Sequence, residues 1–183
     1  DVVSEGEDVL VDAGKYQYTY HEKNRIWLKS AYAHNTLLVD NKDFMEYTDA
    51  WGSEYAAPEL RISPIQKAGY LVLEGAHTGY LQKGVQVLLK RMVVVLEPGV
   101  YVLADMAYTS EKHTYSRLFH FNNQGNLVCE DNRIVYNGTR AKMELVFPQE
   151  NISFHRIESK ISRHYNLCEK NEAVSAEAQG EGQ

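Results

Sequence analysis

Asp12, Arg25 and His34 place a carboxylate, a guanidinium and an imidazole within a short reach of sequence, and Tyr16, Tyr18 and Tyr20 stand between the first two. Carboxylate and imidazole together are ordinary ligands for zinc. Taken alone, the pair reads first as a strand-end acid and a core histidine bonded to backbone. The three tyrosines alternate with Lys15, Gln17 and Thr19, so an extended strand would bring all three phenols to one face. Such a face could pack under a loop. It could also be a platform on which pyranose rings stack while the hydroxyls hydrogen-bond. Arg25 could fork two hydrogen bonds onto a carboxylate or sulfate, whereas Lys23 and Lys29 would act as point charges or stay solvated.

Other chemistry-bearing types are less suggestive. His77 and His120 sit in strand-like runs and read as core histidines, while His21 reads as solvent-facing. No nucleophile elbow, phosphate loop or Cys/His dyad is present, and Glu5/Glu7 and Asp40/Asp43 lie in polar contexts without glycosidase geometry. Cys129 and Cys168 have neither zinc-site spacing nor disulfide-scaffold density, and read as ordinary thiols.

The elements that must position these residues are short runs of Val, Ile, Leu, Tyr and Phe between Gly, Asn, Asp and Pro punctuation. Strands are expected at Val9 to Asp12, Tyr16 to Tyr20, Thr36 to Val39, Glu59 to Pro64, Tyr70 to Thr78, Val85 to Leu96 and Val100 to Met106. Further strands are expected at His113 to Phe121, Asn126 to Glu130, Arg133 to Asn137, Lys142 to Phe147 and Ile152 to Arg156. Phe44 to Ala57 reads as a long loop holding Trp51. Leu88 to Leu96 is apolar on both parities apart from Lys90 and Arg91, as a strand buried on both faces would be. The fold class is therefore all-β, a large antiparallel β-sandwich of stacked sheets.

At 183 residues with 44% apolar content, the chain can form one domain with a core, and residues 1–183 are read as a single sandwich domain. The longest apolar run, Met92 to Leu96, is far short of the roughly 20 residues a membrane helix needs. A net charge of −6 with scattered basic residues lacks the footprint of a nucleic-acid binder. Alternation begins at once in DVVSEGEDVLVD and continues in the closing AVSAEAQGEGQ, so a fragment cut at both ends is expected. Its exposed sheet edges would invite homo-oligomers.

The segment Leu10 to Asp40 resembles the start of the C-terminal β-domain of heparinase II/III-like polysaccharide lyases. The resemblance is carried by the D-x-G-x-Y turn at Asp12, Gly14 and Tyr16, by Arg25, and by AHNTLLVD at Ala33 to Asp40. Weaker agreement runs through GAHTGY (Gly75 to Tyr80), KRMVVVLEPGVYVLAD (Lys90 to Asp105) and FHF (Phe119 to Phe121). The resemblance implies an α-helical toroid domain upstream and a structural zinc held by Asp12 and His34, with a further ligand in an H-x-H motif that this chain does not contain. It makes Tyr20 the positional candidate for an active-centre tyrosine, beside Tyr16, Tyr18 and Arg25 as substrate contacts.

It also implies a bacterial enzyme of the periplasm, cell envelope or exterior that cleaves a glycosaminoglycan- or alginate-type acidic polysaccharide by β-elimination. The family's proton-transfer groups would lie outside this chain, which alone should be inactive. A non-catalytic carbohydrate-binding or interaction module is the alternative.

Overall fold

The structure is a computed structural model that describes residues 1–18, 23–54, 59–97, 99–149 and 151–181, with backbone alone for 59–63 and 97. It is all-β, 54% strand and 9% helix, with several antiparallel sheets of the sandwich type. Two compact units form. The first comprises Asp1–Asp43, Tyr47–Ser53 and Thr114–Ala178, and the second Phe44–Glu46, Glu54–His113 and the residues from Gln179. Among the described residues, no helix is long and apolar enough to cross a membrane.

The first unit opens with the hairpin β1 (Val2–Ser4) and β2 (Glu7–Leu10), followed by the short helix α1 (Lys23–Lys29) and β3 (Leu37–Val39). Later come β8 (Lys112–His120), β9 (Asn126–Glu130), β10 (Arg133–Asn137), β11 (Lys142–Val146), β12 (Ser153–Arg156), β13 (Lys160–His164), β14 (Leu167–Lys170) and β15 (Ala173–Glu181). They form a four-stranded sheet in the order β12-β15-β8-β3, a three-stranded sheet β11-β10-β9, and the hairpin β13-β14.

Val9 and Leu10 join Phe119, Leu127, Ile134, Tyr136, Val174 and Ala176 in one buried core. Side chains from both sheets thus interdigitate, which makes this unit a sandwich. Phe121 stacks on Tyr136 with ring centroids 5.5 Å apart, and Phe119 meets Phe147 edge-on at 5.9 Å. Each such pair is worth about 0.5–1.5 kcal/mol beyond the area it buries.

A second device closes the sandwich. The Glu7 carboxylate is 4% exposed and accepts the amides of Thr139, Arg140 and Ala141 at 2.9, 2.6 and 2.9 Å. The Arg140 amide, then that of Thr139, pulls its pKa below the ordinary glutamate value. Gly138 is required beside it, since a Cβ there would lie 2.3 Å from a Glu7 oxygen. The β10-β11 turn is therefore an anion nest whose occupant comes from β2.

The second unit holds one four-stranded sheet, β4 (Glu59–Lys67), β5 (Tyr70–His77), β6 (Leu88–Glu97) and β7 (Val100–Tyr108), paired in sequence order. The expected doubly buried strand is corrected here. Val93, Val94 and Val95 of β6 are only half-buried and Leu96 is 41% exposed. The apolar run is accounted for by cross-strand neighbours, for example Val94 between Val72 and Val102. Its two polar members are paired: Arg91 forks onto Asp105 at 2.6 and 2.9 Å, and Lys90 reaches Glu74 at 2.8 Å.

Candidate functional site

Gly14 sets the geometry around Asp12. Its φ of +75° suits glycine, and a Cβ would lie 2.2 Å from the Ser162 carbonyl oxygen. That close approach lets Gly14 bridge to Ser162 of β13, whose amide donates to the Ala13 carbonyl at 2.8 Å. The Gly14 amide in turn donates to Asp12 Oδ1 at 3.1 Å, leaving Oδ2 directed at His34 Nδ1, 2.6 Å away.

The His34 hydrogen bond, helped by the Gly14 amide and opposed by burial, holds the Asp12 carboxyl below its ordinary value. An ionised carboxylate only accepts, so Nδ1 is the donor to Asp12 Oδ2 and Nε2 is left out of this bond.

Asn35 fastens this pair in place. Its Nδ2 donates to the Val11 carbonyl at 2.9 Å and its Oδ1 accepts the His120 amide at 2.7 Å, next to the Val11 to His120 backbone bond at 2.9 Å. His120 lies behind, 1% exposed, with Nδ1 2.8 Å from Ser159 Oγ. Burial, then the charge of His34, pushes its pKa down to about 4, so it is neutral near pH 7.

Donors at about 2.0 Å from a tetrahedral zinc stand about 3.3 Å apart, wider than the Asp12 to His34 contact. Among the described residues no group of three His, Cys, Asp or Glu gathers. The described residues therefore do not fit a closed zinc site. His77 belongs to the second unit, where Nδ1 accepts the Gly79 amide at 3.2 Å and the ring centroid lies 4.5 Å from that of Phe44. No disulfide joins Cys129 and Cys168.

The tyrosine ladder is corrected. Tyr16 has φ +65°, and residues 15–18 form no strand. The left-handed residue breaks the extended alternation: Tyr16 packs half-buried against Ala13, Leu28 and Ala33, while Tyr18 is 52% exposed. Tyr20 and His21 lie outside the described residues.

Arg25 stands on α1, which docks on β13 through Lys160; its Nζ lies 5.1 Å from the Trp27 ring and donates to Asn24 Oδ1. The guanidinium of Arg25 is 5.8 Å from the Trp51 ring centroid. Trp51 is parallel to Tyr18 within 8°, with centroids 5.6 Å apart, and the Tyr165 centroid lies 6.1 Å from that of Tyr18.

The loop that carries Trp51 is built locally. Asp49 Oδ1 accepts the Trp51 and Gly52 amides at 2.6 and 2.8 Å, Ala50 is fully buried, and Lys29 donates to the Gly52 carbonyl at 2.9 Å. Tyr47 closes it by donating to the Lys29 carbonyl at 2.9 Å. Burial, then Arg25, pushes the Lys29 pKa down.

Trp51 and Tyr165 carry no motif in the sequence. Their only signals are local: Trp51 within an Asp-Ala-Trp-Gly turn, and Tyr165 before Asn166, whose φ of +60° closes the β13-β14 hairpin.

With this geometry in hand, the chain belongs to the heparinase II/III-like C-terminal family, which matches residues 1–182. It is a family of polysaccharide lyases. Its fold is that of a heparinase III with methylated lysines, at TM-score 0.78 and 19% identity over 97% of this chain and 26% of that one. The heparan sulfate lyase HepC from Pedobacter heparinus superimposes with TM-score 0.78 at 17% identity, over 97% of this chain and 27% of that one. A further heparinase III gives 0.74 at 13% identity over 97% of this chain and 26% of that one. The chain thus spans about a quarter of the length of the solved structures it matches. A search of curated proteins finds no match by sequence.

Proposed function

We propose that this chain is the β-domain of a polysaccharide lyase that cleaves a uronate-containing polysaccharide of the glycosaminoglycan type by β-elimination. The family match over residues 1–182 is the observation that carries this reading. The heparan sulfate lyase among its structural neighbours supports the substrate class.

In the reaction, the uronate carboxylate is neutralised so that the proton on the adjacent carbon becomes acidic. A base removes that proton, a carbon–carbon double bond forms, and the glycosidic C–O bond breaks as its oxygen gains a proton. This chain supplies groups for holding substrate: Arg25 as the anion partner, and Tyr18 as a ring surface. Asp12 and His34 act as an architectural pair, and a structural zinc there would need a donor from beyond the described residues. The proton-transfer groups come from elsewhere in the whole protein, and the chain by itself is inactive.

The test is direct because elimination leaves a conjugated double bond that absorbs in the near ultraviolet. Heparan sulfate incubated with the whole protein should gain this absorbance, and heparan sulfate incubated with the chain alone should not. Product from the chain alone would overturn the assignment of proton transfer to other parts of the protein. Absence of product from the whole protein on every uronate polysaccharide would overturn the lyase reading in favour of a carbohydrate-binding module.

A further inference from the structure

Three aromatic side chains of the first unit, contributed by separate segments, lie in series at the surface and remain largely open. Trp51 is 53% exposed, Tyr18 52% and Tyr165 66%. Burial of aromatic surface is the main thing a folding chain gains from such residues, so three adjacent rings left more than half open call for an occupant.

Their arrangement is specific. Parallel rings in van der Waals contact have planes about 3.5 Å apart. With centroids 5.6 Å apart at an 8° interplanar angle, Tyr18 and Trp51 are therefore displaced sideways like steps, and part of each face stays uncovered. Tyr165, tilted 31° to Tyr18 at 6.1 Å, extends the series. The steps are also held in place: Trp51 by the Asp49 turn, and Tyr165 by the hairpin whose Asn166 amide donates to the Tyr16 carbonyl at 2.7 Å.

Charge narrows the occupant. Lys15 Nζ lies over the Tyr18 ring, 5.7 Å from its centroid, and the Arg25 guanidinium over the Trp51 ring at 5.8 Å, so each of these two rings carries a cation on a face and Tyr165 carries none among these contacts. Asp49, on the Trp51 turn, accepts two backbone amides and its charge acts on Lys29. In a chain of net charge −6, this is a local cationic and aromatic patch. A flat apolar ligand would need no cations, and a simple anion would need no rings. A pyranose of an acidic polysaccharide presents both a C–H face that stacks on aromatic rings and an equatorial anionic group for Lys15 or Arg25.

We infer that Tyr18, Trp51 and Tyr165, with Lys15 and Arg25, form a subsite that stacks one anionic sugar of the polysaccharide chain. This rests on the proposed substrate class and adds to it the residues that grip the chain. The anionic group can be a uronate carboxylate or a sulfate. Chains carrying both, or carboxylate alone, separate the two.

The experiment is calorimetric titration of the chain with three probes of equal length: heparan sulfate octasaccharide, its chemically desulfated counterpart, and a neutral dextran oligosaccharide. The account expects binding of the acidic probes and none of dextran, with Trp51→Ala and Tyr165→Ala each weakening binding about tenfold. Arg25→Gln should weaken binding and flatten its salt dependence. Both aromatic positions are more than half exposed, so the variants should keep the wild-type circular dichroism and melting midpoint. Trp51→Phe, which retains a ring, should recover most of the affinity.

Binding of both acidic probes assigns the carboxylate as sufficient, and binding of the sulfated one alone assigns the sulfate. Wild-type affinity in both alanine variants would overturn the subsite while leaving the substrate class standing. Failure of the wild-type chain to bind either acidic probe would overturn the subsite, and product formation by the whole protein on the same probe decides separately whether the lyase reading falls with it. Equal binding of dextran would overturn the role given to the cations.

Discussion

At the scale of single residues, the Asp12 to His34 contact makes a pH-dependent prediction. The folded pKa of Asp12 lies below its ordinary 3.8. Its contribution is therefore fully present above the unfolded value and is lost as pH falls through the lower folded value. The carboxylate is half-exposed. The contribution is accordingly small, about 1 kcal/mol or less after screening. Asp12→Asn should lower the urea midpoint slightly at pH 7 and by less as pH falls below the ordinary aspartate value, and a deficit that does not change with pH would contradict the pairing.

Asn35 should matter more than either member of the pair. Its side chain ties two backbone segments together, and Asn35→Ala should cost about 1–3 kcal/mol in urea unfolding, leaving a carbonyl and an amide without their partner. A loss within experimental error would contradict this role. The sequence named the acid and the histidine through a family motif but gave no sign that the asparagine between His34 and Thr36 was the clamp, because its partners, Val11 and His120, are distant in sequence.

At the scale of elements, the D-x-G turn is a packing device before it is a chemical one. Gly14→Ala adds a methyl within 2.2 Å of the Ser162 carbonyl at a left-handed φ, and should destabilise by more than about 1 kcal/mol, read as a fall in melting midpoint. A midpoint at or above wild type would show that β13 can yield at this contact.

Elements with strong alternation and bracketing turns were legible. Asn126–Glu130 and Arg133–Asn137 coincide with the expected strands, and Lys142–Val146, Tyr70–His77 and Ser153–Arg156 differ by a residue or so at an end. Elements governed by tertiary contacts were not. Helix α1 spans seven residues, two turns, too few for a helical period to show, and it is held instead by Lys160 and the Trp51 loop. β13 and β14 carry too many polar residues, from Lys160 to Lys170, to read as strands, yet their hairpin is what Gly14 packs against. The Tyr16 to Tyr20 run has ideal strand alternation, but in its described part, Tyr16 to Tyr18, a left-handed residue at Tyr16 defeats it. The proposed sugar subsite was legible only in part, since Tyr18 and Arg25 lie near the motif whereas Trp51 and Tyr165 come from separate loops.

At the scale of the whole molecule, the second unit carries an apolar stretch of β7 in which Val100, Tyr101, Val102 and Leu103 are 50%, 44%, 45% and 38% exposed. β7 lies at the end of its four-stranded sheet. Open strand edges with apolar side chains pair readily with other chains. The isolated chain should therefore self-associate, with a weight-average mass that rises with concentration in sedimentation equilibrium; a constant monomer mass over a wide range would contradict this. Val102→Lys should shift the equilibrium toward monomer.

The central claim is that the molecule is one part of an enzyme that opens acidic polysaccharides by elimination. The most direct measurement is near-ultraviolet absorbance during incubation of the whole protein with heparan sulfate, for wild type and for Arg25→Ala. The account predicts steady growth of absorbance from the unsaturated product, with kcat/KM reduced in the variant by the equivalent of about 1–3 kcal/mol. No absorbance from wild type, or identical kcat/KM in the two proteins, would contradict it.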